Sequence, residues 1–408
     1  MATAASKAVP AGPAHVAVVS FLAARAAPSG GFWIALAGGV ALARVAQRRG
    51  ARPGFGASIA AMLETVAIIG PARFGIPLTQ AMTAPLLGRL EARGWPPLPQ
   101  VAVCAVVRIL HNGITTAFFI WVITGGLDAY AGTYDAIGRR IGIDVGTADA
   151  LVLTAIGLLV WGVFASVVQV LVYRRGLAQW PDEDDASVVD GDIGRQRSAD
   201  ARRRFDPRAI TVTAAVLFVV LLASTQWIVL GTVAVFLAAV WLISRPDREP
   251  LPTGLLFAAI LAVGALIFAL GGGLGIDVAL RRALRAALIV MVATWLRAAA
   301  GAEGLREVFR RALGRLRAIP SLPEATDVLD RIAAEGRLAA AAGSLAEQLR
   351  DVTLRPIPFC DAVLAWVVSE ARAFRPQPPG PPARLTLRTV DLLLVVPVAS
   401  ALAALSLA

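Results

Sequence analysis

The chain has 408 residues, 57% of them hydrophobic, with a mean hydropathy of +0.69 and only 16% charged residues. That is too apolar for a soluble globular protein of this length and predicts a multi-pass, all-α membrane protein. The formal net charge of +11 does not indicate a nucleic-acid partner, because the arginines fall in short clusters between apolar runs, where they bias loops toward the cytoplasm.

A hydrocarbon core of about 30 Å takes roughly 20 helical residues. Apolar runs near that length lie at 14–27, 31–46, 56–72, 74–88, 99–124 and 148–173, predicting a six-span membrane domain over residues 1–175. The N-terminal stretch has the outline of a signal peptide but a poor apolar core, and reads as a weak first span.

Several polar residues interrupt these runs: Glu64 in "AAMLETVAIIG", Arg73 in "GPARFG", and Arg108, His111 and Asn112 in "VVRILHNGITTAFF". A charge at mid-membrane costs about 2.5–3.5 kcal/mol on insertion scales, so such groups face an interior or a cavity. Positions i, i+3 and i+4 place Arg108, His111 and Asn112 on one helix face, where Arg108 has Glu64 as a candidate ion-pair partner. Alternatively these residues line a substrate pocket. The stretch "GGLDAYAGTYDAIG" then serves as an outer loop, with Tyr130 and Tyr134 to stack and Asp128 and Asp135 to hydrogen-bond.

Residues 173–208 form a long polar break, acidic and then basic, predicting a charged cytoplasmic linker over 176–204. Beyond it, apolar runs at 209–223, 227–244, 252–270, 277–298 and 389–407 bring the expected total to about eleven spans. The "GGGLG" at 271–275 follows an apolar run rather than a strand and reads as an extracellular turn. Residues 299–388 instead show helical amphipathic periodicity, with Leu305, Val308, Phe309 and Leu313 on one face. Further helices are predicted over about 323–342 and 358–374, the last ended by the proline-rich "RPQPPGPP", with Arg375 outside it. Such helices suit a layer at the membrane surface that binds a partner.

Catalytic and metal motifs are missing from the sequence. The sole lysine is Lys7, which excludes a G-x-x-x-x-G-K-[ST] phosphate loop. His15, His111, Cys104 and Cys360 have no metal-ligand spacing, so neither a metal nor another cofactor is expected. Two cysteines in different halves give no disulfide framework, and no G-x-S-x-G elbow occurs.

From about residue 205 onward the chain resembles the transmembrane (T) component of energy-coupling-factor transporters, the family that includes the cobalt-type permease subunits. The resemblance starts at Asp206–Pro207–Arg208, matching the "DPR" that opens the family's first span, and runs through "ALRRALRAALIVMVATWLRAAAGAEGLREVFRRALGRL". In the family, two coupling helices each end in Ala-Arg-Gly or Ala-Arg-Ser. Here Ala371–Arg372–Ala373 stands at the second such place, and Arg337 in "AAEGRLAAAA" at the first. The resemblance implies a domain over 205–408 with coupling helices at about 299–388 and a last span at 389–407. It further implies that Arg372 and Arg337 dock on two ABC ATPase subunits.

Residues 1–175 match in size and span number the family's substrate-binding (S) components, or else a separate S component is recruited. The initiator methionine is not followed by histidine, as it is in nickel and cobalt carriers of this class, which disfavours a metal substrate. The expectation is therefore a non-enzymatic subunit of a vitamin or small-metabolite importer in a bacterial-type inner membrane, contacting lipids. The competing readings are a membrane scaffold, or a membrane-embedded enzyme using Asp128 and Asp135.

Overall fold

A computed structural model describes residues 11–26, 30–71, 76–140, 142–180, 205–244, 246, 248–316, 318–350, 352, 355–376 and 387–406. Its regular structure among the described residues is entirely helical. In the N-terminal half these helices are α1 (Ala11–Ala26), α2 (Gly31–Arg49), α3 (Ala51–Ile69), α4 (Ile76–Ala92), α5 (Pro97–Phe118), α6 (Leu127–Arg140) and α7 (Thr147–Gln179). The last turns beyond α5 are a π-helix, Phe119–Thr124. After the linker come α8 (Pro207–Ala223), α9 (Trp227–Ser244), α10 (Pro250–Gly271), α11 (Ile276–Arg315), α12 (Leu322–Leu329), α13 (Glu335–Gln348) and α14 (Pro356–Ala373). A 3-10 helix, Thr389–Leu394, then leads into α15 (Val395–Ser406).

Among the described residues, five helices are long and apolar enough to cross a membrane: Pro97–Thr124, Thr147–Gln179, Trp227–Ser244, Pro250–Gly271 and Ile276–Arg315. This is a membrane protein. The sequence reading of about eleven spans counted every apolar run, yet α1–α4, 16 to 19 residues long, are not among these five. Helix α8 and the stretch from Thr389 are apolar but shorter. The five spans carry a lipid-facing belt, for example Val106, Leu110 and Ile114 on α5, and Ile260, Val263 and Ile267 on α10, all more than half exposed. Large apolar residues repeating every three or four positions on an outer face are what hydrocarbon solvates.

Side-chain contacts define the two ends of the bundle. At one end, Arg174 of α7 meets Glu91 at the close of α4, Arg175 meets Asp361 of α14, and Arg52 of α3 meets Glu324 of α12. At the other, Trp227 donates to Asp277 at 2.7 Å and Thr133 of α6 to the Phe268 carbonyl at 3.0 Å. The first end holds most of the arginines, and the positive-inside bias makes it the cytoplasmic one.

Helix α1 is buried all round: Val16, Ala17, Val18 and Val19 are each fully inaccessible, as expected of a helix enclosed by neighbours on every side. Those neighbours include α13 and α14 from the far end of the chain. One apolar core therefore unites α1–α4 and the end of α7 with Leu329, Leu338, Val363 and Val367 of α12–α14. A second core lies among α8, α9, α11 and α15.

Two further features differ from the sequence reading. The helix expected over 323–342 is divided into α12 and α13 by a turn at 330–334, and "GGLDAYAGTYDAIG", read as a loop, is helical from Leu127 on, in α6. The span at 277–298 and the first amphipathic helix are continuous in α11 except at Gly301, whose φ of 65° breaks the helical path. A left-handed φ is inexpensive only for glycine, so this residue separates the crossing segment from the cytoplasmic one.

Candidate functional site

The DPR segment that opens α8 has a structural role of its own. Asp206 caps the helix by accepting from the Arg208 backbone N–H at 2.8 Å, Pro207 occupies the first helical position, and the Arg208 guanidinium returns to the Asp206 carboxylate at 2.9 Å. A proline at that position forfeits no intrahelical bond. The Asp206 backbone N–H also donates to Asp391 at 2.8 Å, fastening the start of α8 to the 3-10 helix before α15.

Past the Gly301 break, Arg306 points back into the bundle and donates to both carboxylate oxygens of Glu64 on α3, its Nε at 2.7 Å. The Glu64 side chain is 1% exposed and that of Arg306 9%. Arg306 also reaches the Ala333 carbonyl at 3.0 Å in the turn between α12 and α13. One helical turn before the break, Arg297 donates to the Ile68 carbonyl at 2.5 Å and to Glu335 of α13 at 2.6 Å. Two arginines on α11 thus clamp α3 to α13. Burial pushes the Glu335 carboxyl above its usual range; Arg297 opposes that shift, and Glu249 adds to it.

Beside this clamp lies a cavity of about 330 Å³ lined by Gly70, Glu249, Thr253, Thr294, Arg297 and Glu335. It presents carboxylate acceptors, a guanidinium donor and two hydroxyls at the cytoplasmic end of the bundle. The arrangement can hold a small polar molecule carrying both donors and acceptors.

The residues read as a substrate pocket do not converge. Glu64 pairs with Arg306, not with Arg108, because α3 lies against α11 and α12. Arg108 is buried and donates to Gln169 of α7 at 2.6 Å, and Gln169 in turn donates to Thr83 of α4 at 2.7 Å. His111 and Asn112 are half-buried one turn further along α5. Asp128, Tyr130 and Tyr134 lie on α6, past the turn that ends the α5 span. There the Tyr130 hydroxyl meets those of Tyr134 at 3.1 Å and Thr154 at 2.7 Å, and Asp135 pairs with Arg139 one turn on. Arg73 falls outside the described residues. Cys104 and Cys360 are both buried free thiols.

The residues read as coupling motifs gather at the cytoplasmic end. Arg372 occupies the last turn of α14 and is exposed, Ala373 ends the helix, and the Ala371 carbonyl lies against Gly12 of α1. Arg375 lies outside the helix and donates to the Arg372 carbonyl at 3.0 Å, closing the helix end. Beside them His15 of α1 stacks on Phe374 and faces Glu370 at 3.7 Å. Arg337, exposed in the first turn of α13, is close enough to act electrostatically on both His15 and Glu370. The two arginines thus lie on helices that both pack against α1, although 35 positions apart in sequence.

Sequence reasoning did not single out Arg297, Glu335, Gln169 or Thr83. The only signal for Arg297 and Arg306 was their place at either side of Gly301 in "WLRAAAGAEGLREVF", charged residues flanking a helix breaker.

No family model, curated protein or solved structure matches this chain.

Proposed function

We propose that this protein is the membrane subunit of an energy-coupling-factor importer in a bacterial-type inner membrane. In this reading, α13 and α14 receive the closing motion of two separate ABC ATPase subunits and pass it to the membrane helices for uptake of a vitamin or other small metabolite. The observation that carries it is the joining of exposed Arg372 and Arg337, through α13 and α14, to a layer that α11 enters directly from the membrane and that Arg306 and Arg297 clamp to α3. A guanidinium offers five donors in a planar fork, suited to carboxylates and carbonyls on a partner groove. A cation at a helix C-terminus is also favoured by the helix dipole.

A rigid layer is needed for such transmission, since a loosely held helix would absorb a push instead of passing it on. The buried Arg306–Glu64 pair and the shared apolar core provide that rigidity. ATP hydrolysis belongs, in this reading, to the partners. The test is reconstitution: the purified chain shows no ATPase activity alone and, with an ABC ATPase pair, forms a complex whose hydrolysis responds to the chain. Hydrolysis by the isolated chain, or failure to form a complex, contradicts the proposal.

A further inference from the structure

At the end of the bundle opposite the arginine-rich face, three arginines of α11 lie within two turns. Arg281 is neutralised by Asp277, four residues before it. Arg282 and Arg285 have no carboxylate partner among the described residues. Arg282 donates to the Thr124 and Gly125 carbonyls, the latter at 2.9 Å, and Arg285 to the Val122 carbonyl. Val122 and Thr124 belong to the π-helical end of the α5 span, a geometry that recurs at functional positions, and Gly125 caps it.

The charge at this site is incompletely balanced. A helix C-terminus supplies about half a negative charge, against two guanidiniums, one of them only 5% exposed. The Arg285 Nε has no acceptor among the described residues. Burying a charge without a partner costs several kcal/mol, and arginines at this end run against the positive-inside bias. Charges kept in a span under both penalties mark a binding or transport role. Arg282 and Arg285 sit about 9 and 14 Å of helix inward from Ile276 and line a pocket of about 280 Å³ with Trp121 and Thr225.

We propose that this pocket binds a phosphate group, bridged by Arg282 and Arg285 and bordered by the Thr225 hydroxyl and the Trp121 ring. The planar forks of two arginines match phosphate oxygens at several points. A phospholipid headgroup of the non-cytoplasmic leaflet and a soluble phosphate carry the same chemistry. The site stands independently of the importer reading.

The test uses the full chain, delipidated in neutral detergent, with inorganic phosphate in one arm and a short-chain phosphatidylglycerol in the other. Saturable binding of either supports the site: phosphate binding alone identifies a soluble ligand, and lipid binding without phosphate binding identifies a headgroup. The Arg282→Gln/Arg285→Gln double variant should weaken binding by about tenfold or more, the loss of one to two charge-assisted contacts, whereas Arg139→Gln should not. Trp121→Phe gives a readout independent of folding in the double variant, since it should abolish the ligand-induced change in tryptophan fluorescence. No binding in either arm, undiminished binding by the folded double variant, or an unchanged fluorescence response in Trp121→Phe overturns the proposal.

Discussion

Arg306 and Glu64 lie 242 residues apart in sequence and form a doubly hydrogen-bonded ion pair with almost no solvent access. The pair joins the cytoplasmic extension of α11 to α3 and, through the Ala333 carbonyl, to the turn before α13. Removing one member leaves the other charge buried and unpaired. Glu64→Gln should therefore destabilise the protein by about 3–5 kcal/mol, read as a lowered Tm in detergent. Glu64→Gln combined with Arg306→Met should recover much of that loss. A Tm unchanged by the single substitution would show that the pair is solvated.

The His15 environment sets a pH dependence. Burial holds this histidine below its ordinary value of 6.5, and Arg337 adds to that shift while Glu370 opposes it. The unfolded chain therefore takes up a proton near pH 6.5 that the folded chain does not. Stability is full above that pH and declines as pH falls below it, toward the folded value. The Glu370 carboxylate, held below its usual range by the neighbouring His15 imidazole, adds stability that is lost only at more acid pH. Thermal unfolding between pH 7.5 and 5.5 should show this loss in wild type and a flatter profile in His15→Gln. Equal slopes would remove His15 as the cause.

Residues 1–175 are expected to be unstable by themselves. Helix α1 owes its complete burial partly to α13 and α14, and Gly56 of α3 is covered by Glu324 and Ala325 of α12. A fragment ending at Arg175 exposes those apolar faces. It should aggregate or be degraded when expressed alone and be rescued by co-expression of 205–408. A monodisperse, heat-stable fragment would show that the N-terminal helices form their own core.

What could be read from the sequence follows from which interactions are local. Hydropathy alone places α9 at 227–244, and the DPR cap and the proline after α14 mark real helix ends. Over α1–α4 hydropathy alone does not separate spans from core helices, because a helix enclosed by protein is as apolar as one enclosed by lipid; only length and neighbours distinguish them. The Tyr130 segment resembled a loop because its glycines and aspartates are turn formers, yet packing on α7 and α10 holds it helical. The partner of Glu64 was not legible at all. Nothing in the spacing of charges on α3 and α11 states that the two helices meet, and Arg108, a nearer candidate in sequence, donates instead to Gln169.

The Asp206–Asp391 connection predicts a further separation of effects. Asp391→Ala removes the acceptor for the Asp206 backbone N–H and for that of Arg388, at 2.8 and 2.7 Å. A loss of about 1–3 kcal/mol is expected for the donors left unsatisfied, with α15 protected least in hydrogen exchange. Uniform protection of α15 in the variant would contradict that role.

The most direct test of the account is recovery of an ABC ATPase pair on the purified chain carrying Arg372→Glu. Reversing this charge at a docking surface sets it against the acceptors an arginine would engage, which can cost several kcal/mol. Arg93→Glu, exposed in the turn after α4 on the same cytoplasmic face, controls for general charge. The account predicts that Arg372→Glu inserts and melts like wild type but loses the ATPase pair and ATP-driven uptake, while Arg93→Glu keeps both. Equal recovery of the ATPase pair by Arg372→Glu and wild type, with uptake unchanged, would contradict it.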